Sequence, residues 1–121
     1  MKGQLKSAAR IRRKRRVRKN IHGTAERPRM TVTKSNKHIY VQVIDDDRGV
    51  TLASASSVSG DTRAAVGELN KKDAATKVGE AAAVACKGAK ITQVVFDRNG
   101  YPYTGRVAAV ADGARSGGIE L

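Results

Sequence analysis

The sequence has few of the residues that cross-link a chain, stack on aromatic partners or cross a membrane. Cys86 is the one cysteine, which excludes an internal disulfide framework and a cysteine-based zinc site. Tryptophan is absent, and no stretch approaches the ~20 apolar residues of a membrane helix. No apolar segment follows the basic N-terminus, which predicts that a secretory signal is absent. One domain is expected, because 121 residues can bury one modest core. With neither a membrane helix, a signal nor disulfides predicted, a cytoplasmic protein is expected.

Acidic residues are scarce in the first third of the chain. Residues 1–38 hold 14 lysines or arginines against one acid, Glu26, whereas residues 39–121 hold ten of each sign. The whole formal charge of +13 therefore lies in the first third. This asymmetry indicates a neutral globular body with a polycationic arm that binds a polyanion, although a merely solvated tail is the plain alternative.

Residues 1–22 contain ten basic residues and no acid, and their few apolar residues give only a ragged stripe. Repulsion between like charges one helical turn apart opposes folding of this segment alone. We expect it to be largely disordered when free and partly helical once phosphates neutralise it. The weak apolar stripe disfavours a membrane-surface helix. Residues 23–29 are predicted to form a hinge between the arm and the body.

The body begins with three short segments of alternating polar and apolar residues. They cover residues 30–33, 39–43 and 50–54, and turn-forming residues separate them at 35–37 and 45–49. Period-two patterns joined by short turns predict a three-stranded antiparallel meander. Tyr40 and Gln42 should lie on the face of the second strand opposite Ile39, Val41 and Val43.

Helical patterns follow the meander, after a predicted surface loop over residues 57–71 with a helical turn after Asp61. A helix is expected from Asp73, as its cap, to about Lys87, where Gly88 ends it. Its predicted inward face comprises Ala75, Val78, Ala82, Ala85 and Ala89. Ile91 to Phe96 then has the length and composition of a buried strand. A last helix, from about Arg106 to Arg115, should bury Val107, Val110, Ala111 and Ala114. The predicted order is β-β-β-α-β-α, an α/β fold.

Three stretches carry a family resemblance: RPRMTVTKSNKHIYVQVIDD at 27–46, VTLASASS at 50–57, and VVFDRNGYPYTGRVAAVADGARSGG at 94–118. Together they closely resemble the bacterial family of large-subunit ribosomal protein eighteen, which binds 5S ribosomal RNA. The sequence departs from the usual family pattern at Thr104, where histidine is common, at Pro102, and at Asn99, where glycine is common.

The resemblance implies a mixed sheet of ribonuclease-H-like topology, with helices packed on it and a fourth strand parallel to the first. The charge asymmetry assigns residues 1–26 to the basic arm, and the resemblance covers residues 27–121, the predicted globular RNA-binding domain. The resemblance also implies a structural role: binding 5S rRNA and helping to attach it to 23S rRNA in the central protuberance, beside neighbouring ribosomal proteins. No cofactor, membrane or small-molecule substrate is implied.

Two sets of side chains are predicted to contact RNA. Cations of the arm should neutralise phosphates with little sequence preference: Arg10, Arg12, Arg13, Lys14, Arg15, Arg16, Arg18 and Lys19. Residues around the first strand pair and after the fourth strand should supply shape and register: Arg27, Arg29, Ser35, Asn36, Lys37, His38, Tyr40, Arg98, Tyr101, Tyr103 and Arg106. For the tyrosines, packing at the edge of the core is the alternative.

Several residues resemble catalytic or metal-binding groups. The acidic run Asp45–Asp47 with Asp97 could suggest a magnesium-dependent nuclease, which we keep as the alternative function. Successive aspartates are also ordinary turn formers, and Asp97 is expected to pair with Arg98, Arg106 or a backbone amide. His22 and His38 lack a metal-like companion, and Cys86 is expected to act as a small hydrophobic residue. The sequence therefore predicts no active site.

Overall fold

A four-stranded mixed sheet forms the centre of the protein. The computed structural model describes residues 8–13, 15–16, 21–35, 38–57, 71–101 and 105–121. The elements are β1 (Arg29–Lys34), β2 (Ile39–Asp45), β3 (Val50–Ser56), α1 (Lys71–Gly88), β4 (Val95–Asp97) and α2 (Gly105–Ser116). The strand order is β3-β2-β1-β4, in which β4 alone runs parallel to β1. The predicted order of elements, the meander and the parallel fourth strand are confirmed.

Alternation in β1 and β2 places one face of the sheet in the core. Met30 pairs with Val43, and Val32 pairs with Val41, so that these four side chains share one face and are fully buried. Tyr40 and Gln42 lie exposed on the opposite face, as predicted. In β3 the pairing shifts by one residue opposite Val43 and Ile44, which interrupts the alternation predicted for that strand.

The buried face of α1 is rotated from the predicted one. The side chains of Ala75, Val78 and Ala82 are buried as expected, but Ala85 is half-buried and Ala89 is exposed. Gly79, Ala83 and Cys86 are buried in their place. The prediction for Cys86 is confirmed, and burial raises the pKa of its thiol. Asp73 lies in the first turn of the helix and not at its cap, where its charge still complements the helix dipole.

The rotation of α1 follows from its close contact with α2. A Cβ atom at Gly79 would lie 2.2 Å from the carbonyl oxygen of Val110, and one at Gly113 would lie 2.2 Å from that of Thr76. The two glycines therefore let the helix backbones touch, and α1 must turn Gly79 toward α2. The predicted inward face of α2 is buried in full, together with Ala109 and Gly113.

The fourth strand is shorter than predicted. Only Val95–Asp97 pairs with β1, because the backbone before it pairs elsewhere. Val94 N–H donates to the carbonyl of Glu120, and Glu120 N–H donates to that of Thr92, so the C-terminus is held beside this segment. Among the described residues, no helix is long and apolar enough to cross a membrane.

Candidate nucleic-acid interface

The N-terminal helical segment, residues 8–13 and 15–16, is attached to the body at residues 100 and 101. The Arg10 guanidinium donates to the Tyr101 hydroxyl, and Arg13 Nε donates to the Gly100 carbonyl at 2.9 Å. Both acceptors lie in the turn that follows β4. The side chains of Arg12, Arg15 and Arg16 remain exposed. In the described part of the arm, Arg10 and Arg13 therefore bind the body, while the other three arginines form an exposed cationic row.

Tyr101 is the anchor for this attachment. It is only 8% exposed, and its hydroxyl lies 3.4 Å from the carbonyl oxygen of Lys34. The Arg10 guanidinium carbon lies 5.0 Å from the ring centroid, and Lys34 Nζ lies 5.1 Å from it. These distances fit cation–π contacts. For Tyr101, the structure favours packing at the edge of the core over stacking on a base.

The predicted hinge, residues 23–29, is held against the sheet at Gly23. Gly23 is buried, its N–H donates to Asp46 Oδ2 at 2.8 Å, and its carbonyl accepts from Asp46 N–H at 2.9 Å. A Cβ atom at Gly23 would lie 2.4 Å from the backbone nitrogen of Arg29. Only glycine fits at this approach. The arm is therefore held at both ends of β1, near Arg29 and near Lys34.

Arg29, one of the predicted RNA contacts, is buried and pairs with two aspartates. Its Nε and Nη2 donate to the two carboxylate oxygens of Asp46 at 2.9 Å each, and its Nη1 donates to Asp97 at 2.8 Å. The Arg29 side chain is 10% exposed and that of Asp97 is 0% exposed. The hydrogen bonds from Arg29 hold the pKa of Asp46 at about 2, below its ordinary 3.8.

Asp45, Asp46 and Asp47 of the acidic turn each bind a different partner. Asp45 is buried, accepts from the N–H groups of Asp47 and Arg48, and pairs with Arg48 Nε at 2.8 Å; the Arg48 pair lowers the pKa of Asp45. Asp46 binds Arg29. Asp47 lies 2.6 Å from His22 Nε2, and this hydrogen bond raises the pKa of His22. The turn-forming role predicted for these residues is confirmed.

Arg29 also bears on the nuclease alternative, which needed Asp97 and the acidic turn to converge on a metal ion. The Arg29 guanidinium lies between Asp46 and Asp97 and donates to both oxygens of Asp46 and to one oxygen of Asp97. Asp97 also accepts from the Asn99 backbone N–H at 2.8 Å, which confirms the predicted pairing with a backbone amide, and Arg29 is a further partner. Within the described ranges, no three His, Cys, Asp or Glu residues group as metal ligands.

The β1–β2 connection and the start of α2 meet at one end of the sheet. Arg106 Nη1 donates to the Ser35 carbonyl at 2.9 Å. His38 Nδ1 lies 3.1 Å from the Ser57 hydroxyl, and its ring meets that of Tyr40 edge-on at 6.5 Å. The structure therefore brings Arg106, from the set predicted after the fourth strand, close to Ser35, His38 and Tyr40, from the set around the first strand pair.

Tyr40 also borders a shallow depression on the open face of the sheet. The depression has a volume of about 410 Å³. Polar side chains of Thr33, Gln42 and Ser54 line it beside Tyr40, which is 38% exposed. This face can accept hydrogen-bonding groups.

The remaining predicted contacts are spread around this region or lie outside the described residues. Arg27 is exposed, and its Nε donates to the Val94 carbonyl at 3.4 Å. Arg98 is half-buried. Six predicted residues, together with the loop of residues 58–70, lie outside the described part of the chain: Lys14, Arg18, Lys19, Asn36, Lys37 and Tyr103.

Comparison with known proteins identifies the family. The family model described as "Ribosomal L18 of archaea, bacteria, mitoch. and chloroplast" matches residues 4–121. The chain is 56% identical to "Large ribosomal subunit protein uL18" of Myxococcus xanthus over 116 residues, which are 96% of this chain and 98% of that one. It is 53% identical to the protein of the same name from Sorangium cellulosum over 117 residues, 97% of this chain and 98% of that one. The chain belongs to the ribosomal L18 family.

The backbone of this L18-family chain explains one of its departures from the family pattern. Asn99 has a φ of 55°, in the left-handed region that favours glycine. Asparagine tolerates this conformation better than other side chains, and here its side-chain amide donates to the Thr33 hydroxyl at 3.3 Å. The turn after β4 thus keeps the backbone form that glycine would give.

Lys34 is the residue at this interface that sequence reasoning missed. It ends β1, half-buried, beside Tyr101 and close to Arg106. Its position between Arg29 and Ser35, two members of one predicted set, was a signal, but the alternating pattern of β1 assigned it only to the strand. Its nearness to Tyr101 arises from contacts between residues 67 apart in the chain, which no local pattern shows.

Proposed function

We propose that this protein binds 5S rRNA and helps to attach it to 23S rRNA in the central protuberance of the large ribosomal subunit. Its family supports the coarser part of this function directly. As a member of the ribosomal L18 family, the chain is a structural constituent of the large ribosomal subunit, is not an enzyme, and works in the cytoplasm as part of the ribosome, in association with rRNA and ribosomal proteins.

The observation that carries the RNA-binding part is the exposed cationic row on the attached N-terminal helical segment. Arg12, Arg15 and Arg16 are exposed, and none of them forms an ion pair within the described part of the chain. A polyanion would neutralise these charges and release its own counterions, which is the main source of affinity for nucleic acids. The polar sheet face and the Ser35–Arg106 region lie within the same body and are proposed to supply shape recognition.

A competition experiment tests the choice of RNA. Labelled 5S rRNA is bound to the full chain on filters, with an equal mass of tRNA as competitor. We expect 5S rRNA to remain bound in the presence of this tRNA. Equal affinity for both RNAs would contradict the proposal.

A charge experiment tests the role given to the arm. If the protein neutralises ~6–10 phosphates, affinity should fall by ~10³–10⁵ between 50 and 200 mM salt, by analogy with DNA-binding proteins. Replacing Arg12, Arg15 and Arg16 with glutamine should flatten this response. The matched control replaces three exposed lysines of the α1 region with glutamine: Lys77, Lys87 and Lys90. Equal effects of the two triple variants would show that only total charge matters.

A further inference from the structure

Lys34 has an environment unlike that of a solvated surface lysine. It is half-buried at the end of β1, and Arg106 reaches the neighbouring residue by donating to the Ser35 carbonyl at 2.9 Å. Burial, and then the charge of Arg106, lower the pKa of Lys34. The Lys34 ammonium is therefore partly stripped of water and has another cation close by.

A third cation, Arg10, lies near Lys34 because both side chains contact the ring of Tyr101. Lys34 Nζ and the Arg10 guanidinium carbon lie 5.1 and 5.0 Å from the same ring centroid, so the two charges are at most about 10 Å apart. That separation is comparable with the Debye length of ~8 Å at physiological ionic strength, so salt only partly screens their repulsion. Arg10 is also fixed by its hydrogen bond to the Tyr101 hydroxyl.

This group of cations lacks a carboxylate within the described residues. Lys34, Arg10 and Arg106 form no ion pair there, whereas Arg29 and Arg48 pair with aspartates at 2.8–2.9 Å. Arg10 Nε is buried and has no hydrogen-bond partner in the described structure. Clustered, partly buried cations are unfavourable unless an anion completes them. Asp46 and Asp97 lie toward the other end of the same strand, where they pair with Arg29.

We propose that Lys34, Arg106 and Arg10 together form a binding site for a phosphodiester group of the RNA backbone. The inference rests on the proposed function and adds to it a particular contact, centred on a lysine of the sheet and not of the arm. Arginine guanidinium groups can hold two phosphate oxygens at once, and a lysine ammonium supplies a compact charge beside them. Tyr101 acts as the positioning residue, since it holds Arg10 near Lys34.

The test compares Lys34→Met with Lys77→Met in the full chain. Both remove one lysine charge, and Lys77 lies exposed on α1 beside Glu80. Binding to 5S rRNA is measured from 50 to 200 mM salt. We expect Lys34→Met to weaken binding about tenfold or more and to reduce the slope of log affinity against log salt by about one, while Lys77→Met changes neither. Circular dichroism checks that each variant is folded.

Two further variants show whether weaker binding by Lys34→Met reflects loss of the site or misfolding. Arg106→Gln should reduce the slope as Lys34→Met does, and Lys34→Arg should keep both slope and affinity close to the unchanged chain. Slopes for Lys34→Met and Arg106→Gln that equal that of Lys77→Met would overturn the inference. If the unchanged chain itself does not prefer 5S rRNA, the proposed function fails first, and this outcome is distinguishable from failure of the site.

Free phosphate is the other source of the same chemistry, and inorganic phosphate is the probe for it. Thermal unfolding is followed in sodium phosphate and in sodium chloride of equal ionic strength. A rise in Tm in phosphate that Lys34→Met abolishes, without any effect of that variant on RNA binding, would assign the site to small anions and overturn the RNA assignment.

Discussion

Replacing Arg29 with methionine should destabilise the protein more than any other single arginine change in the described body. Methionine keeps most of the apolar stem but leaves the fully buried Asp97 carboxylate without its 2.8 Å partner. Breaking a buried ion pair from one side costs ~3–5 kcal/mol. Asp97 keeps the Asn99 N–H, and Asp46 keeps the Gly23 N–H and some exposure to water. The lower end of that range, about 3 kcal/mol, is therefore expected, which is a fall in Tm of ~10 °C.

The assay is urea unfolding followed by circular dichroism, with Arg115→Met as the matched control. Arg115 pairs with Asp112 at 3.6 Å on the surface of α2, and both side chains are more than half exposed. Removal of such a pair should cost only ~0.5 kcal/mol. In an Asp97→Asn background, Arg29→Met should cost less, because the buried charge is already gone. Equal losses for Arg29→Met and Arg115→Met, or no relief in that background, would refute the reasoning.

Two further predictions concern pH and helix packing. Since the folded-state pKa of Asp46 is about 2 and its ordinary value is 3.8, this carboxylate stabilises the fold above pH 4 and ceases to do so as pH falls toward 2. The free energy of unfolding should fall by about 2 kcal/mol over this pH range, and it should depend less on pH in Asp46→Asn. An unchanged pH dependence in that variant would contradict the pairing. Gly79→Ala should cost ~2 kcal/mol or more, because its Cβ would meet the Val110 carbonyl at 2.2 Å, whereas Gly88→Ala, with open space around it, should be neutral or stabilising in thermal unfolding. Similar Tm values for the two alanine variants would show that the helices can move apart.

The sheet was predictable because its signals are local. Alternation in residues 30–33 and 39–43 and the turn chemistry of Asp45–Gly49 each depend on neighbours in the sequence, and the structure confirms all three. The interruption in β3 was not predictable, since a one-residue shift in pairing changes no residue type. The face of α1 was misassigned because alanines surround the helix, and the Gly79–Gly113 contact that selects the face joins two distant segments.

The candidate site divides in the same way. Composition alone indicated which third of the chain carries the excess charge. Composition could not distinguish Arg29, which pairs with two aspartates inside the protein, from Arg12, which is exposed. The two arginines differ in their surroundings only because the fold brings two distant carboxylates to Arg29.

The double attachment of the arm has a consequence for the order in which the nascent chain acquires its structure. Arg10 and Arg13 leave the translating ribosome first, yet their partners Tyr101 and Gly100 follow 91 and 87 residues later. Contacts of such long separation form only after most of the chain is available. During synthesis, then, Gly23 can reach Asp46 early, whereas Arg10 and Arg13 can bind the turn after β4 only once Tyr101 has emerged.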